Sequence, residues 1–518
     1  MNGKRNSRRD YFKALTGKSY DDAVKRKRRS YTESLDVIWK RGKTNYDLRL
    51  LGTGEKEIWI SEEERSANFH ILGEPEQGKS KFLEYHIRKD IDMGNGLCLL
   101  DPSDGGDTCR KILRYCAKKG VEKVVYISPD TLSKYGKIAC LKPLQSKAVK
   151  QSADGVMEAL NILFNSKSTD TPRIRKNLSA LLRLLAKNNL TIKESELFAD
   201  YQDLKRFAFI KDDRDSRTLK NVFRTYYTWE NYFSSTINRL DAFWQEPLSL
   251  MCGADTGIDF TKMISDGWVV LVNLYPTQNF TVENTQLLGV LIISQIIQAI
   301  DNLNSWGWNG VHYLYIDEAG RFATPQIDNV LSYKRKSGLR LMLAHHYFEQ
   351  FEDKKVMHAI KQGARIKVMF NTSSYQDRLE MVKDLGYGGD IPHVLATYAN
   401  QNIPKQYAVI KKNKETPVRV RIPDVPEVNI SKDKLDSYIE ELLKQDWYLS
   451  KQEIEKQINA RSLQANLKSP PSRKTSDAAA DNAPAVPRGM AERKRQKDSL
   501  RQDQQKPAVP ESTEPIKI

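Results

Sequence analysis

The chain has 518 residues, 83 Lys and Arg against 66 Asp and Glu, a net charge of +17 and 39% hydrophobic residues, with a mean hydropathy of −0.61. At roughly 100–200 residues per domain, this predicts two domains or more in a soluble protein whose basic balance suits phosphate-bearing partners. The five cysteines (Cys98, Cys109, Cys116, Cys140, Cys252) show neither CxxC spacing nor a neighbouring histidine, which argues against a zinc site and a disulfide framework and favours reduced cytoplasmic thiols.

Residues 1–50 hold 15 Lys and Arg against 6 Asp and Glu, densest at Lys25-Arg26-Lys27-Arg28-Arg29. Such an arm suits nucleic-acid phosphates or an anionic membrane surface, or it is a solvated segment that aids solubility. It has no apolar stretch of the kind a secretory signal needs. Glu57–Ser61 reads as a strand, and Ala67–Leu72 as a short buried one. Gly73-Glu74-Pro75-Glu76-Gln77-Gly78-Lys79-Ser80 then fits the phosphate-binding pattern G-x-x-x-x-G-K-[ST] at every fixed position. The two glycines let backbone N–H groups curl around a β-phosphate, ahead of a helix whose positive end faces it. Lys79 reaches the β- and γ-phosphates and Ser80 binds Mg²⁺; Lys81 completes the expected nucleotide contacts. From Lys81 to Asp92, Phe82, Leu83, Ile87 and Ile91 recur at helical spacing.

Gly96–Asp101 is an apolar run closing on an acid, Pro102–Asp107 a turn, and Asp107 the expected cap of a helix towards Ala117. Val121–Ile127 follows as a strand, and this alternation predicts a doubly wound parallel sheet. From about 145 to 262 the periodicity is helical only: Ala153–Phe164, Ile174–Lys187, Leu219–Phe233 and Ile237–Phe243. Phe223, Arg224, Tyr226, Tyr227, Trp229, Tyr232 and Phe233 either stack on single-stranded bases or pack a small helical core. The sheet resumes at Trp268–Leu274, followed by a helix over Glu283–Asn302. Its Leu287–Ile300 stretch is broken by Ser294, Gln295 and Gln298 and reads as a buried helix, short of the ~18 apolar residues of a membrane span.

Val311–Glu318 is an apolar strand ending in two acids, the Walker B arrangement. Asp317 holds Mg²⁺ through water and Glu318 polarises the attacking water as general base. With the phosphate loop upstream, the pair implies NTP hydrolysis. Later elements are a strand over Gly338–Ala344 running into His345-His346, a strand over Ala364–Phe370 and a helix over Tyr375–Leu385. A hairpin over Gln406–Lys411 and Pro417–Ile422 and a helix over Ser431–Lys444 follow. Beyond about 463 the polar composition predicts a disordered tail.

The order of these parts resembles the type IV secretion and conjugative coupling proteins of the FtsK/HerA superfamily, hexameric DNA-pumping ATPases. The resemblance rests on the phosphate loop, Asp101-Pro-x-x-Gly105, the strand over Gly267–Leu274, Asp317-Glu318-Ala319 and Arg335-x-x-Gly338, over roughly residues 55–425. It implies a RecA-like α/β domain in two parts, 55–145 and 263–425, interrupted by an all-α insertion at 146–262. A basic arm (1–54), C-terminal helices (426–462) and the tail (463–518) flank them. It further implies ATP and Mg²⁺, DNA held without sequence readout, a relaxase or other secretion substrate, membrane-channel components and a homo-hexamer. The expected place is the cytoplasm, at the inner face of the membrane. Arg335 or Arg340 is the implied arginine finger, against an ordinary basic cluster at Lys334-Arg335-Lys336.

Three departures stand out. His346 sits where the family has a glutamine, either meeting a γ-phosphate or serving structure with His345. The transmembrane helices of many members are not seen. The loop interior carries Glu74 and Glu76, which is expected to weaken nucleotide affinity. The expected function is an ATP-driven DNA translocase and substrate receptor. The alternatives are a nucleotide-switched adaptor that recruits a relaxase or effector, and a HerA-like repair or defence motor.

Overall fold

Short apolar runs become buried strands, and their order in one sheet brings distant parts of the sequence together. The computed structural model describes residues 40–41, 58, 60–163, 172–202, 213–333, 337–351, 353–385, 403–413, 415 and 417–468. The basic arm, apart from Lys40 and Arg41, and the tail beyond Lys468 lie outside these residues.

The strands are β1 (Lys40–Arg41), β2 (Phe69–Leu72), β3 (Gly96–Asp101), β4 (Val124–Ile127), β5 (Ile138–Ala139), β6 (Val269–Asn273), β7 (His312–Ile316), β8 (Leu339–His345), β9 (Ile366–Met369), β10 (Tyr407–Lys412), β11 (Val418–Arg421) and β12 (Tyr448–Leu449). All but β5 and β12 form one sheet in the order β1-β11-β10-β9-β2-β8-β7-β3-β6-β4. From β9 to β4 every pairing is parallel, while β10, β11 and β1 add antiparallel strands at one edge. The central strands are buried along their whole length, which is why they read as continuous apolar runs.

The helices used below are α1 (Lys79–Asp92), α2 (Asp107–Lys119), α3 (Val149–Leu163), α4 (Pro172–Lys187), α5 (Arg214–Val222), α6 (Tyr226–Tyr232), α7 (Phe260–Asp266), α8 (Val282–Ser305), α9 (Lys354–Gly363), α10 (Tyr375–Asp384), α11 (Lys432–Leu442) and α12 (Lys451–Lys468). Among the described residues no strand occurs between β5 and β6. α8 is long and apolar enough to cross a membrane, yet 78% of its apolar window is buried, packed on α3 and α7. That burial accounts for its apolar surface.

Several expected elements are corrected. Ser61 is not in a strand; it caps a short helix over Glu62–Arg65, accepting from Glu64 N while the Glu64 carboxylate accepts from Ser61 N. Leu219–Phe233 is not one helix. Thr225 accepts from Thr228 N and starts α6 afresh after α5 ends at Val222, because a threonine hydroxyl satisfies backbone donors outside a helix. α2 is capped by Gly106 in a left-handed conformation, with Asp107 its first residue.

Two buried networks tie these layers. Arg65 donates to both oxygens of Asp90 on α1 at 2.7 and 2.8 Å and to Tyr315 Oη on β7 at 3.0 Å, with its guanidinium 3.9 Å above the Tyr313 ring. At the β4 edge, the Tyr448 hydroxyl accepts from Tyr126 N at 2.8 Å and donates to Tyr126 O at 3.0 Å. One side chain there stands in for a missing strand.

His70 on β2, His86 on α1 and His345 on β8 are buried in this core. Burial depresses all three, His70 and His86 well below the usual histidine range and His345 to about 3. The unfolded chain therefore binds protons that the folded chain refuses, so their contribution is present above the unfolded pKa and lost as pH falls. Between pH 7 and 6 the three together are expected to remove about 2 kcal/mol. Urea unfolding at the two pH values checks this; an unchanged midpoint would contradict the neutral assignment.

Candidate nucleotide site

The site forms where β2, β8 and β7 end side by side, so residues near 75, 318 and 346 meet. β2 delivers the chain into the loop at Gly73 and α1 starts at Lys79. Gly78 caps α1 with φ 119°, a conformation that favours glycine. At Gly73 a Cβ would lie 2.5 Å from Phe370 Cβ, so close packing selects glycine there. The loop is braced from outside: Gly73 N donates to His345 O at 3.2 Å, Glu74 N to Asn371 O at 3.0 Å, and Gln406 N to Gln77 O at 3.1 Å.

The acidic residues of the loop are engaged outside it. The Glu74 carboxylate accepts from Ser373 N at 2.6 Å and from the Ser373 hydroxyl, and Glu76 is exposed, 3.7 Å from Lys405. Pro75 and Lys81 are exposed as well. Lys79 is buried and donates to Glu74 O at 2.8 Å and to His346 Nδ1 at 2.9 Å. Burial lowers its pKa to about 8 against the opposing pull of Asp317, Glu318 and Glu74.

Ser80 Oγ lies 3.3 Å from Asp317 Oδ2. Asp317 is pushed up to about 6 by burial and then by the nearby charge of Asp101. A hydroxyl at a helix N-terminus beside a buried carboxylate that resists ionisation is an all-oxygen donor set suited to a hard divalent cation, so the residues fit Mg²⁺. Asp101 itself accepts from Ser103 N at 3.0 Å, from the Ser103 hydroxyl and from Cys109 N at 2.7 Å, closing the turn ahead of α2.

Glu318 has φ 50°, a left-handed conformation uncommon outside glycine. One carboxylate oxygen pairs with Arg321 Nε and the other lies 3.7 Å from His346 Nε2. Burial pushes Glu318 up, but the His346 contact and the charges of Arg321 and Lys79 outweigh it, and the net shift is downward. His346 Nδ1 faces Lys79 Nζ, which can only donate, at 2.9 Å and Gly73 O, which can only accept, at 3.3 Å; the shorter contact, together with Glu318 opposite Nε2, favours the tautomer with its hydrogen on Nε2. His346 N donates to Gln350 Oε1 at 2.8 Å.

No protein-family model matches the sequence, and no curated protein matches it. Among solved structures, the plasmid coupling protein TrwB in complex with the GTP analogue GDPNP aligns with a TM-score of 0.51 at 15% identity, over 76% of this chain and 97% of that one. The chain has the coupling-protein fold. The trigonal form of TrwB in complex with sulphate aligns at 0.50 and 14%, over 76% and 95%. VirB4 of Thermoanaerobacter pseudethanolicus aligns at 0.47 and 15%, over 76% and 97%.

Within the coupling-protein fold, the structure brings together Gly73 to Ser80, Asp317, Glu318 and His346. Arg335 falls outside the described residues. Arg340 lies near the start of β8, paired with Tyr313, at the opposite end of the strand from His345. Three site residues escaped the sequence reading: Arg321, Gln350 and Ser373. Only Arg321 left a local signal, its three-residue spacing from Glu318.

Proposed function

We propose that this chain is an ATPase of the coupling-protein type that couples nucleotide hydrolysis to movement of DNA. The observation that carries the reading is the convergence of Lys79, Ser80, Asp317, Glu318 and His346 at the ends of three adjacent parallel strands. TrwB, which has the same fold, forms a complex with GDPNP, and this supports nucleotide binding by this chain. Loop N–H groups and Lys79 hold the phosphates, and Lys79 gives up Glu74 O to do so. Ser80 and Asp317 would hold Mg²⁺, which supplies positive charge to the phosphate oxygens. Glu318, once released from Arg321, takes a proton from the water that attacks the γ-phosphorus, and the bond to the β-phosphate oxygen breaks. His346 Nε2–H is placed to donate to a γ-phosphate oxygen. DNA, a relaxase or other secretion substrate, channel components at the inner face of the membrane and a hexameric ring belong to the same proposal. Arg335 remains its candidate finger.

The second reading, a nucleotide-switched adaptor, is favoured by one observation: Glu318 is tied to Arg321. Hydrolysis measured with and without single- and double-stranded DNA separates the two. Stimulation of about tenfold or more by either DNA is expected for the motor; nucleotide binding without stimulated turnover would move the adaptor reading to the front.

A further inference from the structure

Two of the buried histidines stand behind the site on the strands that carry it. His70 is 1% exposed and His345 is fully buried. Their Nε2 atoms lie 2.7 Å apart, with ring centroids 5.0 Å apart and planes within 10°. The rings therefore lie tip to tip in nearly one plane, as a linear N–H···N bond requires. One of the two nitrogens carries the hydrogen and the other does not.

The neighbours decide which. His345 Nδ1 lies 3.1 Å from Tyr347 O, which can only accept, so Nδ1 carries the hydrogen. Both rings are neutral, so His345 Nε2 is bare and His70 Nε2 donates to it. His70 Nδ1 is then bare, and Lys367 Nζ on β9 stands 3.5 Å away as a donor. Lys367 also donates to Lys361 O on α9 and lies 4.0 Å from the Asp384 carboxylate at the end of α10. One order of protons satisfies every contact, running from Lys367 to His70, to His345, to the Tyr347 carbonyl. The chain ends on the turn that presents His346. Asp377 of α10 holds the same turn by accepting from Phe348 N at 3.1 Å, so α10 anchors both ends.

We propose that Lys367 and His70 are positioning residues for hydrolysis, holding His345 in the one tautomer that keeps the Tyr347 turn, and with it His346, aimed at Lys79 and Glu318. This rests on the ATPase reading of the site. Reversing the proton between the histidines would turn a bare His345 Nδ1 towards the Tyr347 oxygen, lone pair against lone pair, and push the turn away.

The test compares His70→Gln with His70→Leu in the full chain. A glutamine can donate to His345 and accept from Lys367; a leucine can do neither. His70→Gln is expected to keep kcat within about threefold of wild type, and His70→Leu to lower it about tenfold or more with KM nearly unchanged. Nitrogen-15 NMR of labelled histidines, read without nucleotide, is expected to show Nδ1–H at His345 and Nε2–H at His70. Wild-type kcat in His70→Leu, or the opposite tautomers, overturns the proposal. If His70→Leu does not fold, Lys367→Met takes its place with the same readouts. A wild-type protein that binds ATP without turnover defeats the ATPase reading, and the tautomers still decide the proton order.

Discussion

Glu318→Gln is expected to leave ATP binding intact and to lower turnover by about 10²–10⁴-fold. The amide has the shape of the carboxylate but cannot take a proton from water at neutral pH. Binding should survive because, in the proposed function, the loop N–H groups, Lys79 and Ser80 hold the phosphates without Glu318. The change also breaks the ion pair with Arg321, leaving a partly exposed arginine at little cost. Phosphate release, measured beside the affinity for a fluorescent nucleotide, separates the two quantities. Turnover within about threefold of wild type would remove Glu318 as the base, and a matching loss of affinity would make its role one of binding.

Asp90→Ala is expected to destabilise the fold by about 3–5 kcal/mol, because it strands a buried guanidinium. Arg65 is 1% exposed and would keep Tyr315 Oη, 3.0 Å away, the face of Tyr313 and the more distant Glu62 carboxylate at 3.7 Å. A loss of this size is a large part of the ~5–15 kcal/mol that folded domains possess. The apolar pair Arg65→Met with Asp90→Leu is expected to recover part of it, since it removes the buried guanidinium and carboxylate together, while Tyr315 Oη and Asn95 Nδ2 lose the carboxylate they donate to and Glu62 its cation. Denaturant midpoints of the single and double variants check both statements. A cost below about 1 kcal/mol for Asp90→Ala would mean that water reaches Arg65.

The parts of the site that were legible in the sequence are those whose chemistry imposes spacing. Gly73, Gly78, Lys79 and Ser80 sit at the fixed intervals that wrapping a phosphate in one backbone turn would require, and Asp317-Glu318 end an apolar strand beside them. The strands were legible where burial is complete, as at Gly96–Asp101. Legibility failed where a contact is made across the sheet. Nothing near His70 announces that it meets His345 275 residues on, or that Ser373 takes up the charge of Glu74. It also failed where one hydroxyl decides an element: Thr225 breaks an apparent helix, and Ser61 starts a helix where alternation suggested a strand. The two-residue strands β5 and β12 are too short to show any period.

The Tyr448 hydroxyl has a consequence for how the sheet is kept from growing. An unpaired outer strand is a template on which another chain can zip, and β4 would be such a template if its amide and carbonyl at Tyr126 stood bare. The aromatic ring instead occupies that position from within the same molecule, held there by the pairing of Tyr448 and Leu449 with β5. Chains cut short before this point, by proteolysis or by a premature stop, would carry an adhesive border and self-associate through it.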